Sequence, residues 1–259
     1  MDLERRDSLD GRRELILAYL AEHDRVSVSE LSHALSVSEV TVRKDLDALE
    51  SQGLLTRVHG GAIGSGRGRL ELHFAAREEQ QRDAKRRIAM AAAALIRPHQ
   101  RLFLDASTTA LQVARLIKTQ HDLFVVTNGL YTALELTFSP GITTLVVGGR
   151  MRQRSSSLVG AAGQAMLERL RVDIGFFGAA GVTAADGLME RDLEEAQLKQ
   201  WMVKSAAMAV GVVDSTKFGT TQLHAFALPH ELDRVITDQS APADIVEALR
   251  RQDVLVELV

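Results

Sequence analysis

The spacing of apolar residues changes character once along the 259 residues. From Gly11 to about His59 it is helical. In "RRELILAYLAEH", Leu15, Ile16, Tyr19 and Leu20 share one face of an amphipathic helix. "SVSELSHAL" opens with Ser27 and Glu30 at capping-box spacing, which predicts a short second helix burying Leu31, Ala34 and Leu35. Ser36–Val37–Ser38 is a turn, with Ser38 placed to cap a third helix, "EVTVRKDLDALESQG". Val42, Leu46 and Leu49 of that helix face the core, and Gly53 stops it. "LLTRVHGGA" then reads as a small β-hairpin, a wing, carrying Arg57 and His59.

From about Glu71 the pattern becomes short β-branched runs separated by helical stretches. The predicted strands are Arg101–Asp105, Leu123–Thr127, Thr143–Gly148, Asp173–Ala179, Met208–Asp214, Arg234–Thr237 and Val254–Leu258. Helices are predicted at Lys85–Ile96, Leu111–Lys118, Ala162–Leu170, Leu193–Ala206 and Ala243–Arg251. This alternation implies a mostly parallel, Rossmann-like sheet with helices on both faces. The two textures meet at "HGGAIGSGRGR", whose five glycines between Gly60 and Gly68 predict a turn and a flexible linker. The expected organisation is α/β overall: a small helical domain over 1–62, a linker over 63–75 and an α/β domain over 76–259.

Composition narrows the chemistry. At 4% aromatic, the core must be aliphatic. No apolar run approaches the roughly 18 residues of a membrane span. With no cysteine, disulfides and thiolate zinc sites are excluded, and the eight histidines are scattered without ligand spacing, so neither a metal nor a cofactor is expected. "MDLERRDSLDGRREL" is too charged for a secretory signal, which makes the cytoplasm the expected address. A net charge of −3 supplies no global attraction to nucleic acid, so any DNA binding must reside in a local motif.

Such a motif is present. A short helix, a tight turn and a longer helix with a polar first turn form a helix-turn-helix, whose last helix enters the major groove by its N-terminal part. Ser38 would cap that helix. Arg43 and Lys44 can donate to guanine O6/N7 or to phosphate, and Val40 and Thr41 can touch a thymine methyl. Arg57 and His59 extend the surface into the wing. A plain three-helix domain with Arg43 and Lys44 on a solvated face is the alternative, and the adjoining wing weighs against it.

A second candidate site lies in "LFLDASTTALQVA", where Leu102–Leu104 run as a strand into a helix. Ser107, Thr108 and Thr109 fall at the helix start, where unpaired amides and the helix dipole attract phosphate or carboxylate. In an open parallel sheet, ligands sit at the carboxyl ends of the strands. Asp105, Thr127, Asn128, Gly148, Gly149, Gly178 and Asp214 each end a predicted strand, so they are expected on one rim. Asp105 or Asn128 would accept sugar hydroxyls, and Arg150 and Lys217 would add positive charge. Glu195 and Lys199, four apart, meet on one helix face. Each also has a plainer use: Asp105 and Asp214 as turn caps, Gly149 as a turn residue, Glu195–Lys199 as a surface pair.

"LSVSEVTVRKDLDALESQGLLTRVHGGA" resembles the DNA-binding signature of the DeoR family of bacterial sugar-operon regulators. The resemblance continues through "FLDASTT", "VTNG", "VVGGRM", "EEAQLKQWM" and "VVDSTKFG". It implies a sensor domain related to ribose-5-phosphate isomerase and glucosamine-phosphate deaminase, binding a phosphorylated sugar as inducer. The expected protein is a repressor of a carbohydrate operon, with double-stranded operator DNA and a homo-oligomer, dimer or tetramer, as partners and no membrane association. Ser107 is a departure, since many members carry glycine there; serine adds a donor and narrows the backbone approach. The competing reading is an isomerase- or deaminase-like enzyme, with Glu195 and Lys199 as its imagined catalytic pair. A nicotinamide-sensing regulator is weaker still, because "GFFGAAG" has the wrong glycine spacing and no helix start after it. No residue is assigned a catalytic role.

Overall fold

The computed structural model describes residues 9–23, 25–51, 54–64, 74, 76–153 and 155–259. Gly53 and most of the expected linker (65–73 and 75) lie outside the described residues. The chain divides into two compact units after Gln80.

The first unit contains α1 (Leu9–His23), β1 (Arg25–Ser27), α2 (Val28–Leu35), α3 (Glu39–Ser51), β2 (Leu55–Val58) and β3 (Gly61–Gly64). Both halves of the predicted capping box form. The Glu30 amide donates to Ser27 Oγ at 3.1 Å, and the Ser27 amide donates to Glu30 Oε2 at 2.8 Å. Ser36 ends α2 in the left-handed region, at φ 57°. The Thr41 amide donates to Ser38 Oγ at 3.2 Å, so Ser38 caps α3 as its position implied. Ile16, Leu20, Leu31, Leu35, Val42, Leu46 and Leu49 form the core, closed by Leu55 and Ala62 of the wing.

Two features of this unit differ from the pattern. Tyr19, expected on the buried face with Leu20, is 37% exposed and lies against the His23 ring. A position between Val42 and Leu46 on the inner face of α3 belongs to an acid. Asp45 is buried, its carboxylate 2.6 Å from Arg12 Nε and 3.3 Å from Arg13 Nε. The wing also gains β1, which pairs antiparallel with β3 and extends the hairpin to three strands.

The second unit runs α4 (Arg82–Ala93), β4 (Arg101–Leu104), α5 (Thr108–Ile117), β5 (Leu123–Thr127), α6 (Leu130–Leu136), β6 (Ile142–Val146), β7 (Arg150–Arg152), β8 (Ser157–Val159), α7 (Ala161–Leu167) and β9 (Ile174–Phe177). It continues with β10 (Gly181–Thr183), β11 (Gly187–Glu190), α8 (Leu193–Ser205), β12 (Ala209–Val212), β13 (His224–Ala227), β14 (Arg234–Thr237), α9 (Ala243–Arg250) and β15 (Leu255–Leu258). All seven predicted strands join one sheet in the order β15-β14-β12-β9-β4-β5-β6, and every neighbouring pair is parallel.

Alternation along the strands sorts the two cores. Leu102 and Leu104 point to one face, with Ile88 of α4, Val113 and Ile117 of α5 and Leu136 of α6. Phe103 points to the other, with Leu167 of α7, Leu198 and Met202 of α8 and Val246 and Leu249 of α9. Three elements carry no clear period in the sequence: α6, the β7–β8 hairpin, and a small antiparallel sheet in the order β10-β11-β13. Because the large sheet is wholly parallel, the ends of β4, β5, β9 and β12 open onto one rim.

Candidate functional site

In the first unit α3 presents a polar outer turn. Val40 is 59% exposed, and Arg43 and Lys44 are exposed beside it, with Thr41 half-buried. Arg43 Nη2 pairs with Glu39 one turn back, at 2.6 Å. An exposed pair of this kind is worth only about 0.3–0.5 kcal/mol, so it yields readily to a base or phosphate. His59 is exposed in the wing turn. Arg57 differs: its guanidinium is tied to Asp47 at 3.0 Å and to the Gly61 carbonyl at 2.9 Å, bracing the wing against α3. The buried Arg12–Asp45 pair fixes α3 to α1 from beneath, a role the sequence signals only as an acid among core positions with two arginines upstream.

At the rim of the second unit, Asp105, Ser107, Gly178 and Lys199 are drawn into one cluster. Asp105, fully buried, accepts from the Ser107 amide at 3.0 Å and from the Gly178 amide at 2.9 Å, with Lys199 Nζ 2.9 Å from Oδ2. The Lys199 ammonium also donates to the Gly178 carbonyl at 2.9 Å and to Glu190 Oε1 at 2.6 Å, and it lies over the Phe226 ring. Burial alone would push its pKa down. The carboxylates of Asp105, Glu190 and Glu195 outweigh that and raise it above the ordinary lysine value.

Ser107 caps α5, its Oγ accepting from the Ala110 amide at 3.1 Å. A Cβ on Gly178 would come within 2.4 Å of Ser107 Cβ, so glycine at 178 is what makes room for serine at 107. Thr108 and Thr109 form the buried first turn of α5, and among the described residues their amides have no acceptor.

Glu195 organises the neighbouring half of the rim. Its Oε1 accepts from Asn128 Nδ2 at 3.1 Å, and its Oε2 accepts from Arg152 Nη1 at 2.7 Å and from the Ser157 hydroxyl. Asp192 caps α8 by accepting from the Glu195 amide at 3.0 Å. Glu195 and Lys199 do share a face of α8, but each is buried and turned to its own partners, which corrects the expected direct pair. Asn128 Oδ1, fully buried, has no hydrogen-bond partner among the described residues. Of the two expected hydroxyl acceptors, Asp105 is thus already engaged while Asn128 keeps a free oxygen. Thr127 Oγ1 accepts from the Gly129 amide at 3.0 Å and shapes the turn.

The remaining expected residues stand apart from this cluster. Arg150 is exposed and paired with Glu194. The backbone of Gly149 lies against the Val159 carbonyl. Asp214 caps the 3₁₀ turn Ser215–Lys217, accepting from the Thr216 amide at 3.1 Å, which is its plainer reading. The Lys217 side chain is half-buried and forms no hydrogen bond or ion pair among the described residues. Glu190, Arg152, Ser157 and Asp192 were not anticipated. They lie in segments without periodicity, and only tertiary pairing brings them to the rim.

Residues 12–65 match the DeoR-like helix-turn-helix domain, and residues 80–239 match the DeoR C terminal sensor domain. The chain belongs to the DeoR family. This DeoR-family protein is 35% identical over 227 residues to the HTH-type transcriptional regulator GolR of Listeria innocua, covering 88% of this chain and 89% of that one. It is 30% identical over 244 residues to the glycerol-3-phosphate regulon repressor of Escherichia coli, covering 94% and 96%. Among solved structures, ribose 5-phosphate isomerase A of Methanocaldococcus jannaschii is similar over 53% of this chain and 55% of that chain, at 17% identity and a TM-score of 0.41. In this DeoR-family regulator α2, α3 and the wing lie in the helix-turn-helix domain, and all strands of the large parallel sheet but β15 lie in the sensor domain.

Proposed function

We propose that this DeoR-family protein represses a carbohydrate operon in the cytoplasm and is released from operator DNA by a phosphorylated sugar. The first unit, which includes β3 to Gly64 and runs to Gln80, binds the operator, and the second unit senses the effector. The observation that carries this reading is the loop at the end of β4. Asp105 holds Ser107 in place, Ser107 caps α5, and the Thr108 and Thr109 amides are left to meet an anion at the positive end of the helix. Asn128 Oδ1 on the same rim suits a sugar hydroxyl.

The cluster favours binding over turnover. A buried lysine held protonated by three carboxylates is neither nucleophile nor base. Both oxygens of Glu195 are already hydrogen-bonded, so it is poorly placed to take a substrate proton.

The direct test uses an operator selected by the protein from random-sequence DNA. Sugar phosphates should lower operator affinity while their free sugars do not, and tighter operator binding on adding a sugar phosphate would mark an activator instead. Turnover of pentose or hexosamine phosphates by the pure protein would replace this reading with the enzymatic one.

Operator recognition should depend on α3. Arg43→Ala or Lys44→Ala is expected to cost about 1–3 kcal/mol and relax specificity at one base pair if the side chain reads a base. Binding isotherms on operator and scrambled DNA separate that from a phosphate contact, which weakens all sequences alike and flattens the salt dependence. Normal operator binding by both variants would remove α3 from the groove.

A homo-oligomer is expected, because one winged module offers few base contacts and specific sites are commonly read by symmetric dimers. Light scattering should give a mass of at least twice the 28.3 kDa chain. A monomer with and without DNA would contradict it.

A further inference from the structure

The β7–β8 hairpin forms a two-stranded sheet of its own, separate from the large parallel sheet and from the small antiparallel one. Glycines bracket it, Gly149 at φ +149° and Gly160 at φ +107°, both in backbone conformations that favour glycine. Its base stands at the end of β5: the Leu158 amide donates to the Asn128 carbonyl at 2.8 Å, and the Leu130 amide donates to the Ser156 carbonyl at 2.9 Å.

The two arginines of β7 behave differently. The Arg150 side chain is 65% exposed and pairs with Glu194 at the surface. The Arg152 side chain is 19% exposed and turned into the rim, 2.7 Å from Glu195 Oε2 and 3.2 Å from Asp192 Oδ2. Arg152 also donates to Ser155 Oγ at 3.0 Å, and Ser157 donates to the same Glu195.

We propose that Arg152 is a phosphate-binding residue of the effector site, clasped by Glu195 and Asp192 in the free protein and turning to the effector's phosphate when it binds. This rests on the sugar-phosphate reading above. A guanidinium fork fits carboxylate and phosphate alike, so a phosphate dianion competes directly for the group that Glu195 and Asp192 hold. Lys199 is less suited, because Asp105, Glu190 and the Gly178 carbonyl already take its three donors. Once Arg152 turns, Glu195 is not stranded: Asn128 and Ser157 still donate to it, and it lies in the field of Lys199.

The test compares wild type, Arg152→Gln and Arg152→Gln/Glu195→Gln on operator selected from random DNA. The readout is the ratio of operator affinity with and without ribose 5-phosphate, glucose 6-phosphate, fructose 6-phosphate and galactosamine 6-phosphate in turn. Both variants should need about tenfold or more of the releasing sugar phosphate, the loss expected when one charge-assisted hydrogen-bonded contact disappears. The double variant removes the buried carboxylate that Arg152 neutralises, and Asp192, which loses the same partner, is partly exposed to water, so the variant separates binding from structural support. If it responds like wild type, Arg152 serves only to neutralise Glu195 and the proposal is overturned. An unchanged response of Arg152→Gln overturns it equally. Wild type released by none of the four overturns the sugar-phosphate reading and this proposal with it.

Discussion

Lys199→Ala is expected to destabilise the sensor domain by about 3–5 kcal/mol, because it leaves Asp105 and Glu190 without their shared cation. Asp105 is fully buried and cannot turn to water, so the loss falls on the folded state. The same change removes the donor to the Gly178 carbonyl and the cation over Phe226. The chain has one tryptophan, Trp201, on α8, the helix that carries Lys199, and it packs against the core, so its fluorescence during urea unfolding reports the sensor domain. Arg12→Ala, which acts in the other unit, should leave that Trp201 transition in place. A loss below about 1 kcal/mol for Lys199→Ala would mean that the carboxylates find other partners and that the ammonium does not hold the rim together.

Thr108→Val together with Thr109→Val is expected to raise the sugar-phosphate concentration that releases operator by at least about a hundredfold. Valine keeps the shape and burial of threonine while deleting both hydroxyls, each worth about 1.5–3 kcal/mol when it donates to a charged group. The α5 amides remain, so residual binding should follow the phosphate rather than the sugar. Thermal shift gives a second readout: a ligand at a hundred times its Kd stabilises by about 2.7 kcal/mol, and that shift should shrink in the double variant. Release at wild-type concentrations would place the phosphate elsewhere.

The central strands were legible because both of their faces are buried, which leaves continuous apolar runs such as "LFVV" before Thr127. Local hydrogen-bonding chemistry was equally readable. Ser27, Ser38 and Ser107 all cap the helices they precede, since a capping side chain needs only its own next few residues. Polar residues whose partners are distant in sequence were harder. Asp45 sits at a core position but reads as an ordinary helix acid until Arg12 and Arg13 arrive from α1. The spacing of Glu195 and Lys199 placed them on one face correctly and paired them wrongly, because burial sent one to Arg152 and Asn128 and the other to Asp105 and Glu190. Arg150 attracted notice as part of a glycine-flanked motif, whereas Arg152 is the one directed inward.

The order of strands in the large sheet bears on how the protein is made. β4 lies between β5 and β9, with Leu102 opposite Ile174, so the sheet closes only when distant parts of the chain meet. Parallel, long-range pairing of this kind forms slowly, while the helices and wing within residues 9–64 close over short loops. Units nearest the start of a chain also fold first during synthesis. Asp105 cannot gather Gly178 and Lys199 until translation has passed α8. A nascent chain therefore carries a formed helix-turn-helix unit before the sheet that brings Asp105, Gly178 and Lys199 together has closed.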